Sequence, residues 1–372
     1  MGRYSRFIYA IATLTGTIIG VGIFSLPYIT LQVGINVMLV YLLVLTILNI
    51  LIHYFFGEVA LNTPDFMRLP GYAQYYLGKT GKSVALFSGI FGAVGSILAY
   101  IIIGGEFSAK LLSPFFGGNV LFYSILYFAL GAMFIFVGTR AVSRIELWGM
   151  ILFFLSLVLI FLKGVPLFRS ENLLLKEGGL ASIFLPYGPI FFALSALSLI
   201  PEIEEILGKD KKMLKKVIPI SILIPAIIYL LFIVLVLGVS GHDTSREAIS
   251  GLAGYFSGNI LLVAFFAGIL TTFTSFIAIA LTLKKTLWYD LKIPKTMAWA
   301  LTCFIPLALF LLGFKDFIKV IGFVGGILMA FDGIIILLMY QKIKGKKVLL
   351  IILPLALIFV LGFIYEIIYF FA

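Results

Sequence analysis

The chain has 372 residues, of which 62% are hydrophobic and only 12% are charged, and its formal net charge is +11. This balance excludes a soluble globular domain and indicates a polytopic membrane protein. The basic residues cluster in short loops between apolar runs, which argues against a nucleic-acid partner and is typical of cytoplasmic loops. The single cysteine, Cys303, excludes an intramolecular disulfide, and the distant pair His53 and His242 suggests no metal site.

A bilayer core needs about 20 apolar residues per helix, and eleven segments are predicted to span it. They cover residues 7–32, 37–61, 84–112, 120–138, 145–162, 182–207, 214–238, 259–288, 297–313, 317–340 and 348–371. The first span follows Arg3 and Arg6, but its apolar run is too long for a signal peptide and is expected to be retained. No stretch is long and polar enough for a separate soluble domain, so residues 1–372 are predicted to form one transmembrane domain.

Lysine and arginine residues predict the orientation of these spans. With the N-terminus inside, 20 of the 27 basic residues fall on the inner side. The other seven are Lys110, Lys163, Arg169, Lys176, Arg246, Lys315 and Lys319. Because cytoplasmic loops collect Lys and Arg, we expect a multi-pass protein of the cell membrane with a cytoplasmic N-terminus and an extracellular C-terminus.

The first and sixth spans are both weakened near their middle. The first contains "GTIIGVGIFSLP", with three glycines within seven positions, and each disfavours a helix by about 1 kcal/mol relative to alanine. The sixth reads "SIFLPYGPIFFALSALSLIPEIEEIL", and its prolines Pro186, Pro189 and Pro201 remove backbone donors. Both spans are therefore predicted to be interrupted.

The two interrupted spans lie five spans apart, and an odd number of spans per repeat turns the second copy upside down. Interrupted helices at matching positions of two halves indicate an inverted-repeat transporter. We predict one repeat in residues 7–163, a second in residues 182–340, and an added eleventh span in residues 347–371.

A break at the bilayer midplane frees backbone groups that cannot stay unpaired in hydrocarbon. The positive end of a half-helix favours a carboxylate, and unwound carbonyls favour an ammonium group or a cation. A zwitterionic amino acid presents both charges. The alternative is that glycine and proline serve close helix packing, as is common in membrane helices.

Two motifs resemble a known family. "GTIIGVGIFSLP" resembles the first-helix signature of the amino acid–polyamine–organocation superfamily. "SLIPEIEEILGKDKKMLKKVIPISILIPAIIYLLF" resembles the junction of helices 6 and 7 in the amino acid/auxin permease family, of which the prokaryotic tryptophan/tyrosine permeases look most similar. "AYIIIGGEFSAKLL" and "TSFIAIAL" have counterparts there. The resemblance covers most of residues 7–340 and implies an all-α membrane fold with a 5+5 inverted repeat, like that of the leucine transporter.

The resemblance also implies a substrate site at the two breaks. The substrate carboxylate would meet the backbone N–H groups of Val21 and Gly22, and the amino group would meet carbonyls of the sixth span, where Phe192 would form an aromatic lid. The substrate-binding residues implied in this way are Thr17, Ile18, Gly20, Val21, Gly22, Phe192, Ala193 and Ser195. The alternative for Phe192 is a packing or lipid-facing side chain, since the chain has 37 phenylalanines.

Candidate cation sites come from hydroxyls and from acids within the spans. Three hydroxyls of the eighth span share one helical face, and sodium-coupled relatives add carbonyls of the first span, so the implied Na⁺ ligands are Gly16, Ile19, Thr271, Thr274 and Ser275. The alternative is that these hydroxyls bond to their own helix. Acids in membrane spans are rare, which makes Glu106 and Asp332 the candidates for proton coupling, although Glu106 could simply pair with Lys110.

Together these features predict a secondary active, cation-coupled (Na⁺ or H⁺) importer of neutral amino acids, either aromatic or branched apolar. Neither break contains a charged residue, and a charged substrate side chain would be stranded there. No GxxxxGK[ST] motif is present, so an ion gradient is the expected energy source.

We expect no enzyme activity, no cofactor and no metal beyond Na⁺. The expected partners are the amino acid and membrane lipid, with a monomer or a homo-oligomer both open. The alternatives are a transporter of a polyamine or organic cation, a sensor, or an intramembrane enzyme.

Overall fold

The computed structural model describes residues 2–137, 142–256 and 258–371. Every predicted span contains helix in this part of the chain, and the first and sixth spans each contain two helices. The α-helices are α1 Arg3–Ile18, α2 Leu26–Val33, α3 Ile35–Leu61, α4 Leu69–Phe116, α5 Val120–Val137, α6 Val142–Gly164, α7 Tyr187–Leu194, α8 Ile200–Leu207, α9 Leu214–Ser240, α10 Gly258–Lys285, α11 Lys295–Leu311, α12 Phe317–Lys344 and α13 Leu349–Phe371. Gly138, the predicted end of the fourth span, and the predicted inner-side Arg140 lie outside the described residues.

Length and apolar composition make most of these helices able to cross a membrane. Among the described residues, seven helical stretches pass as spans on their own, and α1 with the helical stretch Val21–Val33 makes an eighth that is bent by 45°. Shorter apolar helices occur at Ile151–Leu167 and Lys295–Leu311. The chain is therefore an all-helical multi-pass membrane protein.

The third span differs most from its predicted bounds. Helix α4 begins at Leu69 instead of residue 84, and it bends at Gly78, where φ is +75°. This left-handed backbone suits glycine because glycine has no Cβ to clash. The added first turns carry polar residues and lysines, so apolar length alone could not reveal them.

Helix α4 lies at the centre of the packing, against α12 on one side and α10 on another. Gly92 of α4 meets Leu328 of α12, and Gly95 meets Val324, so the two helices run antiparallel in close contact. Helix α12 also packs against α7 and α13, while α10 packs against α6. These contacts bring the two halves of the chain together around the broken spans.

Ion pairs join helix ends at both faces of the bundle. At one end, Glu58 of α3 pairs with Lys215 of α9 and, at 2.8 Å, with Lys344 of α12. At the other end, Arg246 pairs with Asp316 at 2.6 Å. Lys215 and Lys344 are both predicted inner-side residues and Arg246 a predicted outer-side residue, so the clusters agree with one common orientation. Which face is cytoplasmic stays a prediction.

Candidate functional site at two broken helices

The first break lies between α1 and α2. Helix α1 ends at Ile18, Ile19 leaves the helical region with φ −74° and ψ 89°, and Gly20 is extended. A short 3₁₀ segment, Val21–Ser25, then leads into α2. The interruption predicted from the glycine-rich motif is thus present, and it falls at Ile19 and Gly20.

The second break lies between α7 and α8. Ser195 is extended with ψ 132°, and Ala196 has φ −144° and ψ 39°. The prolines that predicted this interruption lie elsewhere: Pro186 precedes the first residue of α7, and Pro201 lies in the first turn of α8. Proline is well tolerated at helix starts because its missing N–H has no helical partner there. The break is present as predicted, but the prolines that were expected to cause it lie at the starts of α7 and α8 instead of at the break.

The two breaks touch each other through Gly22. A Cβ placed on Gly22 would lie 2.6 Å from the Cβ and 2.7 Å from the Cα of Ala193. Gly20 is different, because the nearest atom to a Cβ placed there is the hydroxyl oxygen of Tyr100 at 3.8 Å. Close packing therefore already accounts for Gly22, whereas Gly20 faces a space large enough for a methyl group.

Tyr229 of α9 connects the breaks by hydrogen bonds. Its hydroxyl lies 2.7 Å from the carbonyl oxygen of Ile18 and 2.9 Å from that of Ala193, so it donates to one or shares its proton between them. The backbone of Gly20 bonds to the same hydroxyl. The phenol is fully buried and satisfies polar groups that unwinding has freed. Sequence reasoning missed this residue, since nothing local distinguishes one of 18 tyrosines.

His53 of α3 bonds to the second break from another helix. Its Nδ1 lies 2.8 Å from the carbonyl oxygen of Asn49, and its Nε2 lies 3.1 Å from the backbone nitrogen of Ala196. A carbonyl can only accept, so Nδ1–H donates to Asn49 and Nε2 accepts the Ala196 N–H. This assigns the neutral Nδ1–H tautomer. An ionisable residue within a membrane span is a signal of function, and this signal could have marked His53 in the sequence.

The structure gathers the predicted substrate-binding residues around these breaks. Four of them are buried, namely Ile18, Val21, Gly22 and Ala193. Gly20, Phe192 and Ser195 are half-buried, and Thr17 is exposed with its hydroxyl donating to the Thr13 carbonyl at 3.0 Å.

The predicted Na⁺ ligands are placed on α1 and α10. The hydroxyl of Thr274 donates to the carbonyl of Thr271 at 3.1 Å, so it bonds to its own helix as the alternative expected. Ser275 and Gly16 are half-buried, and Ile19 is buried. No group of three or more His, Cys, Asp or Glu residues suited to a metal occurs in the described part of the chain.

The two predicted proton carriers lie in different surroundings. Glu106 of α4 lies close enough to Glu247, Lys110 and Arg246 for electrostatic interaction, so it belongs to a charged cluster at the predicted outer end. Asp332 of α12 is buried beside Ser88 of α4. Another buried acid within the spans, Glu366 of α13, was not among the predicted site residues.

Comparison with known proteins gives matches over nearly the whole chain. A family model described as the tryptophan/tyrosine permease family matches residues 4–368. A relative named "Tyrosine-specific transport system 1" from Haemophilus influenzae is 29% identical over 280 residues, which is 74% of this chain and 66% of the relative. The chain thus spans just under two thirds of that relative's length in the match.

Solved transporter structures share the fold at low sequence identity. Mhp1, described as a nucleobase-cation-symport-1 family transporter, in a closed conformation with bromovinylhydantoin, gives a TM-score of 0.67 at 13% identity, covering 97% of this chain and 90% of that one. MhsT in complex with L-phenylalanine gives 0.61 at 15% identity, covering 96% and 98%. Inward-facing Mhp1 gives 0.68 at 15% identity, covering 98% and 89%. The helices therefore follow the leucine-transporter fold.

Proposed function

This chain belongs to the tryptophan/tyrosine permease family, and from that premise we propose that it is a secondary active transporter of a neutral aromatic amino acid. It works by alternating access and uses a cation gradient. The observation that carries the proposal is the contact between two broken helices, where Gly22 packs on Ala193 and the Tyr229 hydroxyl bonds to the carbonyls of Ile18 and Ala193. Two adjoining breaks offer unwound N–H and C=O groups to one zwitterion.

The amino acid is oriented by the opposite polarity of its two ends. Its carboxylate meets the N–H groups of Val21 and Gly22, where the chain resumes a helical conformation. Its ammonium group meets carbonyls of the second break at Phe192, Ala193 and Ser195. The Tyr229 hydroxyl already bonds to the Ala193 carbonyl, but a carbonyl oxygen has two lone pairs and can accept a second donor.

The chemistry of the lining favours an aromatic side chain. Neither break contains a charged residue, while Phe192, Tyr100 and Tyr229 place aromatic rings beside them. A branched apolar amino acid is the next best fit. A polyamine or organic cation fits less well, because no carboxylate of the breaks is available to balance its charges. The printed function of the relative from Haemophilus influenzae, tyrosine transport, supports the same choice.

For the coupling ion, we place Na⁺ between the first break and α10, and the proposed ligands are Gly16, Ile19, Thr271, Thr274 and Ser275. Carbonyl and hydroxyl oxygens are the ligands that a hard cation prefers. Glu106 and Asp332 are the proton-carrying alternatives. Glu106 lies in a charged cluster with Lys110, Arg246 and Glu247, whereas Asp332 is buried beside Ser88.

We also propose an inverted-repeat architecture for the chain. Residues 7–163 and 182–340 form two inverted halves, and residues 347–371 add a final span. The support is that the break occurs in the first span of each half.

Counterflow in proteoliposomes tests the proposal. Vesicles loaded with unlabelled tyrosine should accumulate labelled tyrosine, and an excess of external phenylalanine or tryptophan should compete while lysine, glutamate and putrescine should not.

Uptake into unloaded vesicles should rise with external Na⁺ at fixed pH, and the Thr274→Ala/Ser275→Ala double variant should remove that rise. Absence of counterflow with tyrosine would contradict the transport proposal. Uptake driven by a proton gradient without Na⁺ would contradict the ion assignment alone.

A further inference from the structure

A buried carboxyl in the last helix has no role in the site described so far. Glu366 of α13 is only 1% exposed. Its Oε1 accepts the backbone N–H of Gly188 at 3.0 Å. Its Oε2 is buried and has no hydrogen-bond partner among the described residues. A carboxylate excluded from water normally gathers several donors, because an uncompensated charge is very costly there.

Three glycines shape the space that this carboxyl fills. A Cβ on Gly188 of α7 would lie 2.5 Å from Oε1, and one on Gly322 of α12 would lie 3.0 Å from Oε2. A Cβ on Gly326 of α12 would overlap the Cγ of Glu366. We call Gly188, Gly322 and Gly326 the glycine cradle. The sequence "GFVGG" at residues 322–326 of α12 thus packs around a carboxyl group from α13.

No cation faces the carboxyl among the described residues. From α12, the nearest charged side chain along the helix is Lys319, whose ammonium group lies over the ring of Tyr369, 5.5 Å from its centroid. The other titratable groups facing it are phenols: Tyr187 from α7, and Tyr365 and Tyr369 from α13 itself. The hydroxyl of Tyr187 lies 3.4 Å from the carbonyl of Ile358, to which it donates. The cradle therefore offers one donor, the Gly188 N–H, and no positive charge.

The carboxyl is connected to the candidate substrate site through α7. Gly188 lies in the first turn of this helix, and the second break begins at its other end, at Ser195. Seven residues at 1.5 Å each separate them, or about 10 Å. A group that fixes Gly188 therefore fixes the start of the short rigid helix whose far end borders the substrate. Helix α12 supports the same helix, since a Cβ on Gly325 would lie 2.8 Å from the backbone nitrogen of Phe192.

We propose that Glu366 is a proton-binding site that latches α7. With a proton on Oε2 the carboxyl is neutral, fits the cradle, and accepts the Gly188 N–H through Oε1. When the proton leaves to water, the carboxylate needs further donors or hydration. The cradle cannot supply them without a shift of α7 away from α12 and α13. The proton thus biases the position of α7. A role of this movement of α7 in substrate access rests on the proposed function. The proton-dependent position of α7 does not rest on it.

A purely structural alternative is a remote cap for the start of α7. A glutamine at this position separates the two possibilities, because its amide oxygen can accept the Gly188 N–H but the side chain cannot titrate. If Glu366 served only as a cap, the wild type and Glu366→Gln would show the same behaviour of α7 at every pH. A proton latch makes the wild type pH-dependent and Glu366→Gln pH-independent.

Hydrogen exchange followed by mass spectrometry, on protein in lipid nanodiscs without substrate, measures the latch directly. After correction for the intrinsic pH dependence of exchange, the protection of residues 187–194 in the wild type should fall as pH rises. One proton limits the fall to about tenfold per pH unit. Glu366→Gln should stay protected throughout. Glu171→Gln, which makes the same substitution at an exposed carboxylate outside the breaks and the glycine cradle, is the matched control and should follow the wild type.

Either of two results overturns the latch: protection that does not depend on pH in the wild type, or a pH dependence that Glu366→Gln retains. A second arm adds labelled tyrosine and measures its affinity. The affinity of the wild type should vary with pH by at most about tenfold per unit, and that of Glu366→Gln should not. If tyrosine fails to bind while the exchange arm behaves as expected, the proposed function falls and the latch stands.

Discussion

The two helix breaks are made in different ways. The first contains glycine at the point where the chain unwinds, and Gly20 is extended there. The second unwinds at Ser195 and Ala196, with neither glycine nor proline at those positions. It is held by His53, whose Nε2 accepts the Ala196 N–H from a different helix. A helix can therefore be broken by its own sequence or by a partner across the bundle, and Tyr229 connects the two breaks.

The largest effect is expected at the contact between the breaks. Gly22→Leu should abolish tyrosine binding, since even a Cβ would overlap Ala193, and overpacking of this kind typically costs about 1–3 kcal/mol or more. Gly20→Ala is the matched control and should fold with a midpoint near that of the wild type, because its nearest neighbour would be 3.8 Å away. Thermal unfolding in detergent and a binding isotherm measure both. Equal damage from the two substitutions would refute the division of roles between the glycines.

The second break should depend on its remote partner. His53→Ala leaves the Ala196 N–H without an acceptor in a buried setting, which costs about 1–3 kcal/mol, and the lost ring adds a cavity term. We expect a lower unfolding midpoint and faster hydrogen exchange at residues 195–199, with residues 19–25 less affected. His242→Ala, in an exposed loop, controls for loss of a histidine. If the first break loosened as much as the second, the idea of a local and a remote break would fail.

The smallest of the three effects is expected at the shared hydroxyl. Tyr229→Phe removes the donor to the Ile18 and Ala193 carbonyls but keeps the buried ring, so a loss of about 1 kcal/mol is expected. Both breaks should loosen together in hydrogen exchange. Tyr255→Phe, which removes a hydroxyl bonded to Asp243 at 2.8 Å in the loop after α9, should leave both breaks unchanged. Loosening of only one break would show that the hydroxyl serves a single helix.

Hydropathy predicted the helical stretches because apolar length is a local property of the chain, and among the described residues seven or eight stretches pass as membrane spans. The first break was also predicted, since its glycines lie where the backbone unwinds. The position of the second break was not, because its prolines start helices and the residue that holds it, His53, comes from a helix 143 positions earlier. Tyr229 and Glu366 were missed for the same reason, since each acts through contacts between distant segments. Family resemblance named the residues around the breaks, but it could not reveal that a tyrosine already bonds to two of them.

The most direct test of the central claim is an experimental structure of the protein with tyrosine bound. We expect the tyrosine between the two breaks, with its carboxylate within hydrogen-bond distance of the Val21 and Gly22 N–H groups and its ammonium group against the carbonyls of the second break. Tyrosine bound away from both breaks, or bound there with its carboxylate turned from Val21 and Gly22, would contradict the account.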